Sequence, residues 1–276
     1  VVATPIGHLQ DITYRAVEVL RGVDLIAAED TRHSRGLLSH YTVTTPLLSL
    51  HEHNEAEQSP RIIARLQAGA AVALICDAGT PLISDPGYRL VCAAHRVRIR
   101  VSPIPGPSAV IAALSVAGLP TDRFVFEGFL PAREAARSRR LQALAGESRT
   151  MVFYESSHRV VACVRAMQER FGGERRALIA RELTKAFETL HGDSLEGLCD
   201  WLDSDANHRR GEFVVVVCGR PAEEARAGDE RALAVLQVLA AELPLRQAVD
   251  LAARITGQGR NRVYRLALSM GGQTEQ

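Results

Sequence analysis

Lysine is nearly missing from this chain: of 33 basic residues, 32 are arginine and one, Lys185, is lysine. A basic excess is missing too, because 32 acids leave a net charge of +1. Whole-chain charge therefore argues for neither nucleic acid nor an anionic membrane, and any such preference must be local. Cysteine is sparse. Cys76, Cys92, Cys163, Cys199 and Cys218 are odd in number and widely spaced, with no C-x-x-C pair. That pattern disfavours a zinc site or redox pair and suits a reduced, cytoplasmic protein. No apolar stretch reaches the roughly 18 residues of a membrane span. Nothing basic precedes Val1, which is read as a trimmed start rather than a signal peptide. Three motifs are also missing: no G-x-G-x-x-G follows a strand, no G-x-x-x-x-G-K-[ST] occurs, and no G-x-S-x-G elbow is found. A nicotinamide dehydrogenase, a nucleoside triphosphatase and a serine hydrolase each lose support.

What is present is a 276-residue chain with 46% hydrophobic and 24% charged residues, enough for more than one packed core. Short apolar runs at 1–3, 23–28, 71–76 and 97–101 read as strands. Helix-like spacing at 13–21, 30–40, 54–68 and 85–95 lies between them, and this alternation predicts a mainly parallel sheet covered on both faces. The pattern pauses at Gly118-Leu-Pro120. A second set of strands follows at 124–126, 151–154, 177–180 and 213–218, with helices near 133–146 and 157–171. After Gly219-Arg-Pro221 the strands stop, and 229–241, 245–255 and 260–269 read as three helices. The expected division is thus an α/β domain at 1–117, a second at 118–222, a helical module at 223–270 and a loose tail at 271–276.

Three Gly/Pro-rich turns follow strands: Thr4-Pro-Ile-Gly7, Asp77-Ala-Gly-Thr-Pro81 and Pro103-Ile-Pro-Gly-Pro-Ser-Ala109. Loops leaving the carboxyl ends of parallel strands share one edge, so these three can line a small-molecule crevice. Titratable residues gather at other strand ends: Glu29-Asp-Thr-Arg32, His51-Glu-His-Asn-Glu55, Ser84-Asp-Pro-Gly87, Tyr154-Glu155 with His158-Arg159, and Arg181-Glu-Leu-Thr-Lys185. They supply acids, bases and cationic clamps. Any single one of them equally suits a helix cap or a surface ion pair, as Asp85 before Pro86 illustrates. The H-x-H of His51 and His53 is met in metal sites, but no cysteine cluster or H-E-x-x-H supports it, and no metal is expected. Residues 243–270 hold five arginines against one acid, Asp250, a local excess suited to phosphate contact.

Taken in order, these motifs, with Asp11-Ile-Thr13, the extension of the central loop to Gly87 and Gly128-Phe-Leu-Pro131, resemble the ribose 2'-O-methyltransferase branch of the tetrapyrrole methylase superfamily. The resemblance runs from Val1 to about Met270. It implies two α/β domains with a cleft between them, plus a small C-terminal helical module, and S-adenosyl-L-methionine as methyl donor. It also implies a homodimer that methylates the ribose of a cytidine in the decoding region of 16S ribosomal RNA within the small subunit. Carried over by motif, Pro5, Ala78, Gly79, Thr80, Ile83, Ser108, Ala109, Tyr154, Glu155 and Leu183 would hold the donor. Glu29, Asp30, Asp85, Glu182 and Lys185 are the catalytic candidates, with the base left open among the acids. Arg32, Arg137, Arg140, Arg246, Arg260 and Arg262 are the RNA candidates. Lys185 is read either as a compact ammonium with a shiftable pKa or as a survivor of arginine bias. The chain departs from the branch at His8, where Asn is usual, at Cys76, where Ser is common, and at Arg133, where Lys is frequent. Two other readings stand beside the first: a methyltransferase for a tetrapyrrole or a modified protein side chain, and a non-enzymatic ribosome-assembly protein that binds RNA.

Overall fold

The computed structural model describes residues 1–271, with backbone alone at 222–227 and 270–271. Beyond Gly271 the expected tail lies outside the described residues. The chain divides into two compact units. The first is Val1–Val116 with Ala180–Leu190 and Glu212–Val214; the second is 117–179, 191–211 and the chain from 215 onward.

The first unit runs α1 (Tyr14–Gly22), β1 (Leu25–Ala28), α2 (Thr31–His40), β2 (Leu47–Ser49), α3 (Glu55–Gln67), β3 (Val72–Ile75), α4 (Tyr88–Arg96) and α5 (Ala109–Val116). Its strands form a parallel sheet ordered β2-β1-β3, with Ile26 level with Leu47 and Ala73. Alternation along β1 sends Ile26 and Ala28 into one core, with Leu20 and Leu38, and Ala27 into another, with Ile62 and Leu90. Both faces are therefore covered, as a continuous apolar strand requires. Caps set the helix starts. The Thr13 hydroxyl accepts from Ala16 N at 3.1 Å, and Asp30 Oδ1 accepts from Arg32 N at 2.7 Å.

The expected strand at 1–3 reduces to a single bridge, Val2 with Ile104, and Thr4 beside it bridges Gly79. The 97–101 run forms no strand because α4 continues to Arg96 and the chain then turns through Arg98, whose φ is +57°. Asp85 does not cap α4 either. Glu55 of α3, buried, accepts from Gly87 N, Arg89 N and Leu90 N at 3.1, 2.8 and 3.2 Å. Asn54 fixes the chain just before it, accepting from His51 N at 2.8 Å and donating to Ser49 O at 3.1 Å. Much of the His51–Glu55 motif is thus scaffold.

The remaining elements are β4 (Phe124–Phe129), α6 (Glu134–Leu144), β5 (Thr150–Ser156), α7 (Val160–Phe171), β6 (Arg176–Arg181), β7 (Thr189–Ser194), α8 (Leu195–Ser204), β8 (Glu212–Val217), α9 (Ala222–Glu242), α10 (Leu245–Thr256) and α11 (Arg260–Gly271). The second sheet is ordered β4-β5-β8-β6-β7. Its central strands are apolar at their middles, and Met151, Val152, Phe153 and Val215 to Val217 are fully buried. Gly219, just past β8, has no room for a side chain: a Cβ would stand 2.1 Å from Ser148 O. Helices α9 to α11 bury their own small core of Leu236, Ala248, Val249, Ala252, Val263 and Ala267. Gly257, left-handed at φ +70°, ends α10 and lets α11 start three residues later. Among the described residues no helix is long and apolar enough to cross a membrane.

Candidate active site

The carboxyl ends of β1, β2 and β3 deliver Glu29-Asp30, Leu50-His51 and Cys76-Asp77 to one edge of the first sheet. The Gly/Pro loops join them there. Thr4 and Gly79 exchange backbone hydrogen bonds at 2.8 and 3.0 Å, which sets the first turn against the central loop. The Thr80 hydroxyl donates to Pro107 O at 2.9 Å, drawing in the third. Glycine favours two of these contacts. Gly79 has φ +83°, and a Cβ on Gly106 would lie 3.1 Å from that of Ala3. Pro5 is buried, Ala78 and Ile83 are exposed, and Ser108 and Ala109 open α5 half-buried.

Acids crowd this edge. Burial, and then Asp85 and Asp77, raise the Glu29 carboxyl above its ordinary pKa. Burial also raises Asp85, and Asp77 adds to the rise while the nearby Cys76 thiol opposes it. The thiol itself is pushed up by burial and by Asp85, which makes it an inert donor. Asp77 Oδ1 accepts from Asp30 N at 3.1 Å. Asp30 behaves differently. Exposed and bonded to the amides of Arg32 and His33, it is held below the ordinary carboxylate range. It is an N-cap, with little basicity.

The 182–185 turn closes on Thr4-Pro-Ile-Gly7 within the same unit. A Cβ on Gly7 would stand 2.6 Å from Lys185 Cγ and 2.8 Å from Leu183 O, and His8 N donates to Thr184 Oγ1 at 3.0 Å. His8 Nδ1 accepts from Gln10 N at 3.3 Å, a local capping bond that an Asn at this position could also make. Lys185 Nζ lies 3.1 Å from Glu182 Oε1 and 2.8 Å from Glu212 Oε2. Burial works to lower its pKa, but the two carboxylates outweigh it and the net shift is upward. Glu182, although burial opposes it, is lowered by the Glu212 amide and by Lys185. Lys185 is thus held in an ion pair, and the upward shift favours its charged form. Backbone strain gathers at both loops: Leu82, Ser84, Glu182 and Thr184 all have positive φ, between 51° and 75°. The sequence reading passed over Glu212, for which only its place at the start of a β-branched run was a signal.

The second unit holds the other candidates. The Tyr154 ring meets Phe126 and Phe129 edge-on at 4.9 and 5.7 Å. Glu155 is fully buried against Arg159 at 3.4 Å and accepts from Ser156 N at 2.9 Å. Arg137 is buried and bonds Ala132 O, and Arg140 grips Glu127 through two bonds of 2.9 and 2.6 Å. Arg246 is exposed, as is Arg32 in the first unit. Arg260 bonds Asp250, and Arg262 is bidentate on Asp229 at 2.6 and 2.8 Å. Among the described residues no three His, Cys, Asp or Glu side chains are grouped to hold a metal ion.

A parallel sheet whose carboxyl edge carries three close-packed Gly/Pro loops and an acidic cluster matches one known class. The description "Tetrapyrrole (Corrin/Porphyrin) Methylases" fits residues 1–199, and the chain belongs to that family. A second description, "RsmI C-terminal HTH domain", fits residues 226–271. Relatives named "Ribosomal RNA small subunit methyltransferase I" match almost end to end. The Pseudomonas aeruginosa protein is 56% identical over 99% of this chain and 98% of its own, and the Escherichia coli O157:H7 protein is 49% identical over 99% and 95%. Solved structures share the fold. Diphthine synthase matches with TM-score 0.63 at 16% identity, over 82% of this chain and 92% of its own. Uroporphyrin-III-C-methyltransferase from Thermus thermophilus matches with 0.56 at 20%, over 79% and 92%.

Proposed function

We propose that this chain transfers the methyl group of S-adenosyl-L-methionine to the ribose 2'-hydroxyl of a cytidine in the decoding region of 16S ribosomal RNA. The observation that carries the reading is the sheet edge where three Gly/Pro loops meet two carboxyls of raised pKa. The residues present suit the donor. It is a sulfonium cation, favoured beside Glu29, Asp77 and Asp85, and the side-chain-free backbone at Gly79 and Gly106 admits close approach. When bound, the donor supplies an electrophilic methyl group.

The chain's own residues hold, orient and accept a proton. Pro5, Ala78, Gly79, Thr80, Ile83, Ser108 and Ala109 form the donor cradle, with Tyr154 and Leu183 as further contacts. Glu155, buried on Arg159, sets the position of its neighbour Tyr154. Glu29 and Asp85 are the base candidates, because a carboxyl raised toward working pH accepts a proton more readily than one bound in a cap or ion pair. Lys185 locks the 182–185 turn. For RNA we retain Arg32, Arg140, Arg246, Arg260 and Arg262, while Arg137 serves to hold α6. We further propose that the work divides among 1–117, 118–222 and 223–270, and that the enzyme acts as a cytoplasmic homodimer on the assembled small subunit.

Tritiated donor incubated with small subunits, with naked ribosomal RNA and with a porphyrinogen tests this reading. Label on the ribose of one cytidine in the subunit is expected. Label on the porphyrinogen alone overturns the acceptor, and donor binding absent by calorimetry overturns the enzyme.

A further inference from the structure

A cavity of about 940 Å³ lies within the second unit, well away in sequence from the sheet-edge motifs. Its walls come from two sources. Arg149, Arg170, Arg175 and Arg220 line it from the α/β body, and Arg260, Arg262 and Arg265 line it from the start of α11. Among the described residues the lining has seven arginines and one acid, Glu147, which already holds Arg149 through bonds of 2.8 and 2.7 Å. The rest is small or polar, including Gly146, Ser148, Gly257, Gln258, Gly259 and Asn261, and Phe171 is the only aromatic in it among the described residues.

We propose that this groove binds the sugar–phosphate backbone of the RNA acceptor, gripping consecutive phosphates between the body and α11 without reading bases. The inference rests on the RNA reading above and adds where, and by which chemistry, the RNA is held. Guanidinium groups match phosphate oxygens in fork geometry, whereas recognition of bases calls for stacking surfaces or base-edge partners that a single phenylalanine does not supply. Several of the forks are held in place. Arg262 spends Nε and one amino group on Asp229, and Arg175 bonds the carbonyls of Cys218 and Phe171. Arg262 retains donors for a ligand, since a guanidinium has five N–H groups. The first turn of α11 brings the positive end of a 12-residue helix to the groove. A helix-turn-helix pair usually presents its second helix to a major groove. Here the basic start of α11 faces a groove that it shares with its own α/β body.

The test uses the full chain and filter binding of a ribosomal RNA fragment across a potassium chloride series. Arg170 and Arg265 are exposed, so Arg170→Gln with Arg265→Gln should fold, and the melting curve checks it. The double variant is expected to lower the slope of log affinity against log salt by about 2, since each phosphate contact contributes about 1. Donor binding by calorimetry stays unchanged, and Arg170→Lys with Arg265→Lys keeps most of the slope. A control with Arg61→Gln and Arg123→Gln leaves the slope as it was. An unchanged slope in the groove variant overturns the groove alone. Competition by millimolar inorganic phosphate as complete as that by RNA overturns the backbone reading in favour of a small-anion site. If the unaltered chain binds no RNA, the acceptor reading falls and the groove falls with it.

Discussion

The acidic sheet edge of the first unit and the arginine groove of the second are charged surfaces built on opposite plans. At the edge, Glu29, Asp77 and Asp85 lie near one another, and burial and mutual repulsion raise the carboxyl pKa values of Glu29 and Asp85. In the groove, Arg149, Arg260 and Arg262 are each tied to a carboxylate, so like charges converge with their repulsion offset in advance. Frustrated charge suits proton transfer and compensated charge suits holding a polyanion. The net charge of +1 averages over both surfaces and the rest of the chain, which is why it says nothing about either.

The sharpest way to break the contrast is Asp85→Asn. If the frustrated carboxyl is the base, single-turnover methylation falls by about 10² to 10⁴-fold. The melting temperature holds or rises, because a carboxyl that resists ionising is a cost to the fold. The pH dependence carries the same sign. Glu29 and Asp85 have folded pKa values above their unfolded ones, so their contribution to stability is full below the unfolded values of 4.5 and 3.8. It is lost as pH rises through the folded values. Activity moves the other way, climbing over that window as the base ionises. A loss in Asp85→Asn of both activity and stability would make Asp85 scaffold.

On the groove side the largest effect is structural. Gly219→Ala forces a Cβ onto the backbone carbonyl of Ser148, next to the 147–149 lining, and a loss of about 3 kcal/mol is expected in chemical denaturation. Wild-type stability would mean that the 147–149 loop yields freely and that the groove is soft. The smallest effect belongs to Lys185→Arg. An ion pair that tolerates either cation predicts turnover within a few-fold of normal, and a drop beyond about 10²-fold would restore a chemical role for the ammonium.

Legibility in the sequence followed the kind of signal each region emits. β1, β3 and β8 are continuous apolar runs and could be read directly, and the Gly/Pro loops marked the edge because only particular residues tolerate such turns. β2, three half-buried residues, and β7, the polar run Thr189–Ser194, carry no such pattern, and the proline-rich approach to α5 concealed a helix. Of the site, the carboxylates were visible but not their ranking. That Asp30 caps α2 while Asp85 lies against a buried thiol depends on which amides and burial each meets. Half of the groove was legible as the arginine excess of 243–270, but Arg149, Arg170, Arg175 and Arg220 are scattered along the chain, and only folding gathers them against it.

The ion pair at Lys185 has a use unrelated to turnover. It holds the one side-chain amine in the given sequence, and that amine is kept protonated by Glu182 and Glu212. An acylating reagent therefore finds a single lysine, and reacts with it faster when the 182–185 turn opens and frees the nitrogen from both carboxylates. The rate of that labelling is a clock for the opening of this turn, readable by mass spectrometry on the unaltered protein.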